Sequence, residues 1–267
     1  MIRDITLGQY YPADSILHKL DPRVKFIGTM VYIISLFIFK SWGYVLGTVS
    51  LIGIIAISKV PFKFMVKGLK AIVFLLVFTM FCNAIFTPGE VVFQVWIIKV
   101  TKEGLFLAGR MGIRLVFLIM GSSIMTLTTT PNQLTDALES LMKPLNKIHV
   151  PVHEIAMMMS IALRFIPILL EETDKIMKAQ IARGADFETG NLIKKVKNMV
   201  PLLVPLFISA FRRANDLALA MEARCYHGGD GRTQMKPLKY AGRDWMAYGI
   251  LAVYLAVTIA VRVILKW

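Results

Sequence analysis

Apolar residues gather along this chain in five runs that carry almost no charge, at residues 26–39, 43–57, 71–86, 111–127 and 245–264, with Arg114 an intruder in the fourth. The last has the length of about 20 residues that a helix needs to cross a bilayer, and the others reach it with flanking residues. One such run suits a buried helix of a soluble protein; five in one chain predict membrane spans. Between the fourth and the fifth the pattern changes. Residues 131–244 hold sixteen Lys or Arg and twelve Asp or Glu, set among Leu, Ile and Met that recur every three or four positions. The periodicity predicts a short helix over 132–142 between Pro131 and Pro144, and a long one over 152–181 kinked at Pro167. A third follows over 192–223, broken or bent by Pro201 and Pro205. These helices are too apolar to be plain soluble helices and too charged to span, so they are expected to lie along the membrane.

The fold class that follows is an all-α integral membrane protein, with about five transmembrane helices plus long cytoplasmic amphipathic helices. Its expected parts are 1–130 (an N-terminal segment and four spans), 131–243 (the cytoplasmic helices) and 244–267 (the last span). Lys19, Arg23 and Lys25 at the membrane edge place the N-terminus inside, and an odd number of spans then leaves the C-terminus, with Arg262 and Lys266, outside. Asp14 or Ser15 is expected to cap a short turn, and Pro22 to open the first span. Residues 40–42 make a tight return. Lys59, Lys63, Lys67 and Lys70 fall on one helix face, as on an interfacial helix leading into the third span. The segment 83–103 either lies flat on the outer surface or forms a small hairpin. Arg110 and Arg114 are expected to reach toward outer headgroups.

Charge adds a constraint on partners. With 31 Lys or Arg against 17 Asp or Glu the formal net charge is +14. In a membrane protein this matches anionic lipid, and the lysine run has no interleaved aromatics of the kind that stack on bases, so no nucleic-acid partner is expected. Cys82 and Cys225 lie in opposite surroundings and are not expected to pair. His149 and His153 are separated by Pro151, and no metal site is expected. No paired carboxylates sit in the spans, no nucleophile–base arrangement is apparent and no phosphate-binding G-x-x-x-x-G-K-[ST] loop occurs. The chain is therefore expected to have no catalytic residues and no cofactor of its own. The start of the chain lacks the apolar core of a signal peptide.

Two stretches in the charged region repeat one design. Residues 176–186, IMKAQIARGAD, and 219–228, LAMEARCYHG, each run helix formers into Ala-Arg-small: Ala182, Arg183, Gly184 and Ala223, Arg224, Cys225. A cation in a last helical turn is favourable by itself. Its repetition points further, to a partner with two equivalent surfaces, because a guanidinium donates several directed hydrogen bonds into a groove.

These two motifs, with the N-terminal pattern Asp14-Ser15, His18-Lys19-Leu20-Asp21-Pro22-Arg23 and Lys25, resemble the transmembrane coupling subunit, or T component, of energy-coupling factor importers, a branch of the ATP-binding cassette transporters. The resemblance covers essentially the whole chain, and departs from the usual Ala-Arg-Gly at Cys225, which puts the local helix-end geometry in question. It implies two ATPase subunits, each receiving one arginine in a groove and using ATP and Mg, and one substrate-binding S component for a vitamin or other micronutrient. It implies a bacterial cell membrane, and a mechanism in which coupling helices pass ATP-driven motion to the S component. Asp186 and Glu222 are then expected to support the arginines, and Met157, Met158 and Met159 to contact the S component, since methionine adapts to varied partners. A membrane-embedded lipid-modifying enzyme acting near Arg110 and Arg114, and a permease working alone, are the alternatives.

Overall fold

The computed structural model describes residues 10–39, 43–95, 98–187, 192–229, 235 and 237–264. The start of the chain, the return expected at 40–42, residues 230–234 and 236, and Lys266 lie outside the described residues. In chain order the elements are α1 (Pro22–Ile38), α2 (Gly43–Ser58), α3 (Phe62–Phe86), β1 (Val91–Val95), β2 (Ile98–Thr101), α4 (Lys102–Thr128) and α5 (Pro131–Met142). A 3-10 helix (Lys143–Ile148), α6 (Val152–Ala182), α7 (Leu192–Ala223) and α8 (Gly242–Ile264) complete them. In the segment 83–103, β1 and β2 pair antiparallel, as in the hairpin alternative, with Val91 opposite Thr101 and Val95 opposite Ile98. The pair is a small departure from an otherwise helical chain.

Local chemistry sets the element ends. Ser15 Oγ accepts from the His18 amide at 3.2 Å and so caps the turn before α1. Asp21 is the N-cap of α1 and accepts from the Arg23 amide, with Pro22 in the first turn where no N–H is required. Thr101 Oγ1 accepts from the Gly104 amide at the start of α4. At α5, the Thr130 amide donates to Gln133 Oε1 and the Gln133 amide to Thr130 Oγ1, a reciprocal capping box. α6 runs through Pro167, and α7 through Pro201 and Pro205, each as one helix.

The chain forms two compact units, one of Gly8–Ala137 with Leu238–Trp267 and one built on Leu138–Pro237. In the first, α1, α2 and α4 close around Leu36, Met65 and Leu127, with Tyr32, Phe39, Leu51, Val60, Met120 and Ile124 beside them. Gly121 allows the approach of α1 to α4, since a Cβ there would stand 2.6 Å from Tyr32 Cε1.

A polar clasp closes this unit. The Asp21 amide donates to Asp244 Oδ1 at 2.9 Å, while Asp244 Oδ2 accepts from the Ala241 amide at 2.8 Å. The Arg23 guanidinium donates to both Asp21 carboxylate oxygens, at 3.0 and 2.9 Å, and lies 3.8 Å from the Tyr240 ring centroid. Lys25 Nζ donates to the carbonyls of His18 and Thr128. Arg23 and Lys25, expected at the membrane edge, are thus buried and engaged within the protein; Lys19 stays exposed. Arg114 also has a protein partner that the sequence did not anticipate: its Nε donates to the Tyr44 hydroxyl of α2 at 3.1 Å.

Among the described residues three helices, α4, α6 and α8, are long and apolar enough to cross a membrane, or up to four if α3, bent by 60° between Phe62–Lys70 and Ile72–Phe86, is one span. The bend separates the lysine-bearing turns of α3 from its apolar half, where the sequence divides an interfacial helix from a span. α1 and α2 have 17 and 16 residues. At 1.5 Å per residue each is about 25 Å long, short of a hydrocarbon core of about 30 Å. α6, expected as a surface helix, has the length and composition of a span.

Candidate coupling site

α6 and α7 form an antiparallel pair. Glu172 accepts from Ser209 Oγ at 2.7 Å and from Arg213 Nη2. Farther along α6, Gln180 Nε2 donates to the Pro201 carbonyl at 3.3 Å, and beyond its end the Asp186 carbonyl accepts from Asn198 Nδ2 at 2.6 Å. Positions on α7 fall as those on α6 rise. At the opposite end, past α7, Gly229 lies against the His153 ring, where a Cβ would come within 2.4 Å of Cδ2. His153 is held in turn by Glu139, 2.9 Å from its Nδ1. The turn that follows each helix therefore rests on the other helix.

Each arginine motif occupies one of those ends, and the two ends share one hydrogen-bond pattern. Arg183 is the C-cap of α6. Beyond it the Gly184 amide donates to the Ile181 carbonyl and the Ala185 amide reaches back to Gln180, with Gly184 at φ +88°. At α7, the Cys225 amide donates to Glu222 and the Tyr226 amide reaches back to Met221, with Cys225 at φ 55°. Both are Schellman motifs, in which a residue of left-handed conformation just past the cap lets two amides satisfy the last carbonyls. Glycine takes that conformation without steric cost, and Cys225 takes it with a Cβ. The departure of the second motif from Ala-Arg-Gly leaves the helix-end hydrogen-bond pattern the same as in the first.

Ala182, Arg183, Gly184, Ala223, Arg224 and Cys225 are all exposed. The helices that carry them have 31 and 32 residues, each about 45 Å long. Antiparallel pairing holds the two guanidinium groups at opposite ends of that length. Asp186 is exposed and its carbonyl is fixed by Asn198; Glu222 is exposed and its carbonyl takes part in the second motif. Met158 and Met159 are exposed near the start of α6, at 58% and 42%, while Met157 is half-buried.

No group of three or more potential metal ligands occurs among the described residues. His149 ends the 3-10 helix at φ 61° while His153 lies in the first turn of α6, so the two do not share a helix face. Cys82 and Cys225 are free thiols. Sequence reasoning missed Gln180, Asn198 and Gly229, which hold the motifs in place, and marked His153 only as a possible metal ligand. One signal for Gln180 was present: Pro205 has no N–H, so the Pro201 carbonyl lacks its usual partner four residues on.

A family described as cobalt transport protein matches residues 13–235. An energy-coupling factor transporter transmembrane protein of Clostridium kluyveri is 56% identical over 266 residues, 98% of each chain. Its counterpart in Ruminiclostridium cellulolyticum is 53% identical over 96% of each chain, and that of Bacillus subtilis 47% over 91% of this chain and 93% of the relative. The chain belongs to the EcfT family of energy-coupling factor transporter transmembrane proteins. It is a multi-pass membrane protein and a non-catalytic component of a transporter.

Proposed function

We propose that this chain carries ATP-driven motion from two cytoplasmic ATPase subunits to one substrate-binding S component, for uptake of a vitamin or other micronutrient through a bacterial cell membrane. The observation that carries this reading is the pair of identical helix ends on α6 and α7, each presenting an exposed arginine at its C-cap. Two equal presentations suit two equal grooves, and a guanidinium at a capped, rigid end enters a groove with little ordering still to be done. ATP and Mg belong to the ATPases. Asp186 and Glu222 flank the arginines, and exposed Met158 and Met159, with Met157 behind them, supply an adaptable apolar contact for the S component.

In this reading α6 and α7 are the coupling helices and lie along the inner membrane surface, although α6 alone has the dimensions of a span. The charges of Glu171, Glu172, Asp174, Lys175 and Lys178 in its second half support that placement. α1 and α2 cross with the help of flanking residues, which with α3, α4 and α8 makes five spans, the N-terminus inside and the C-terminus outside. The anionic inner leaflet then meets the lysine face of α3. The parts are 1–130, 131–243 and 244–267.

The test is purification from membranes in mild detergent, followed by reconstitution. Wild type is expected to bring down two ATPase chains and an S component. Changing Arg183 and Arg224 together to Ala is expected to leave insertion intact, to remove the ATPases from the complex and to abolish uptake. Undiminished uptake by the double variant would rule the function out. Substrate flux through liposomes holding this chain alone would favour a stand-alone permease, and lipid turnover by the isolated chain an enzyme.

A further inference from the structure

In an uninterrupted α-helix the carbonyl of residue 201 accepts from the amide of residue 205. Here that residue is Pro205, which has no N–H, so the Pro201 carbonyl has no partner four residues on in its own helix. Gln180 Nε2 donates to that carbonyl from α6. Gln180 lies three residues before Arg183, and its own carbonyl receives the Ala185 amide that closes the first helix end. One residue therefore joins the turn presenting Arg183 to the proline-altered turn of α7. The Asp186 carbonyl, held by Asn198, is a second attachment on the same side.

We propose that Gln180 is a positioning residue for Arg183, acting through the carbonyl that Pro205 leaves open. The proline thus serves as more than a helix irregularity: it frees an acceptor on α7 that a side chain of the neighbouring helix fills. Motion of α7 is then passed to the first arginine's turn through Gln180. The proposal rests on the coupling function for its effect on uptake, but its structural part stands by itself.

A double-mutant cycle in the full reconstituted complex tests it, with Gln180→Leu, Pro205→Ala and both together. Leucine keeps the bulk and helix preference of residue 180 without its donor. Alanine in place of Pro205 restores an amide four residues beyond the Pro201 carbonyl, so that Gln180 is no longer needed there. Two readouts are taken: uptake, and amide hydrogen exchange at residues 183–185. With Pro205 in place, Gln180→Leu is expected to speed exchange at 183–185 about fivefold, the scale of one net hydrogen bond, and to lower uptake by a similar factor while the ATPases still copurify. In the Pro205→Ala background the same change is expected to have no effect on either. Equal effects of Gln180→Leu in both backgrounds, or none with Pro205 in place, overturn the proposal. If the arginine double variant still transports, the coupling function fails while the exchange cycle still decides the role of Gln180.

Discussion

At the residue scale the most informative position is Cys225. A left-handed backbone at a residue with a Cβ costs about 1 kcal/mol or more relative to glycine, yet Cys225 completes the same pattern of amide bonds as Gly184. Cys225→Gly is therefore expected to stabilise the end of α7 by about 1 kcal/mol, seen as a higher melting midpoint in detergent, with uptake unchanged. A lower midpoint would mean that the thiol makes a contact outweighing the backbone cost. Gly184 carries the opposite message, since any side chain there meets a φ of +88°. The arginines themselves are simple by comparison: each is placed by its helix end.

At the scale of elements, the pairing of α6 with α7 decides where the arginines stand. Glu172 is its central link, accepting from both Ser209 and Arg213. Its carboxylate and the guanidinium are 23% and 40% exposed, so water and salt weaken the pair. Glu172→Ala is expected to cost about 1 kcal/mol. Hydrogen exchange should quicken in the facing parts of α6 and α7 and stay unchanged in α8; uniform change along the chain would show that the link is not local. The periodicity of both helices was legible in the sequence, as were the bounds of α7. Their register against each other was not. It depends on contacts between residues 12 to 41 positions apart, and for His153 and Gly229 still farther, which no local pattern encodes.

For the whole molecule, the longest-range hydrogen bond described runs from the amide of Asp21 to Asp244, residues 223 apart in sequence. It joins the start of α1 to the first turn of α8 within one unit. Asp244 is 2% exposed and accepts from two amides, so Asp244→Ala leaves both without that acceptor. The expected cost is about 2–6 kcal/mol, at about 1–3 kcal/mol per buried unsatisfied group. Asp244→Asn keeps one acceptor oxygen and should fall between, so that melting midpoints follow the order Asp, Asn, Ala. An unchanged midpoint for alanine would show that the clasp is dispensable. The same clasp ties together the N-terminal pattern Asp21-Pro22-Arg23, of which the sequence explained the proline but not the pairing: cap, first-turn proline and ion pair serve one junction.

The sequence by itself determined the membrane class, the helical segments and the two arginine motifs, because apolar run length, three-to-four periodicity and helix-end residues are short-range properties. Tertiary structure decided that Arg23 and Lys25 are buried and bonded within the protein, since their partners lie in other elements or depend on the burial those elements supply. It likewise decided that Cys225 substitutes for glycine in backbone geometry, and that each motif's turn rests on the opposite helix. Burial and register arise only when distant segments meet, so a linear pattern names the parts while packing assigns their partners.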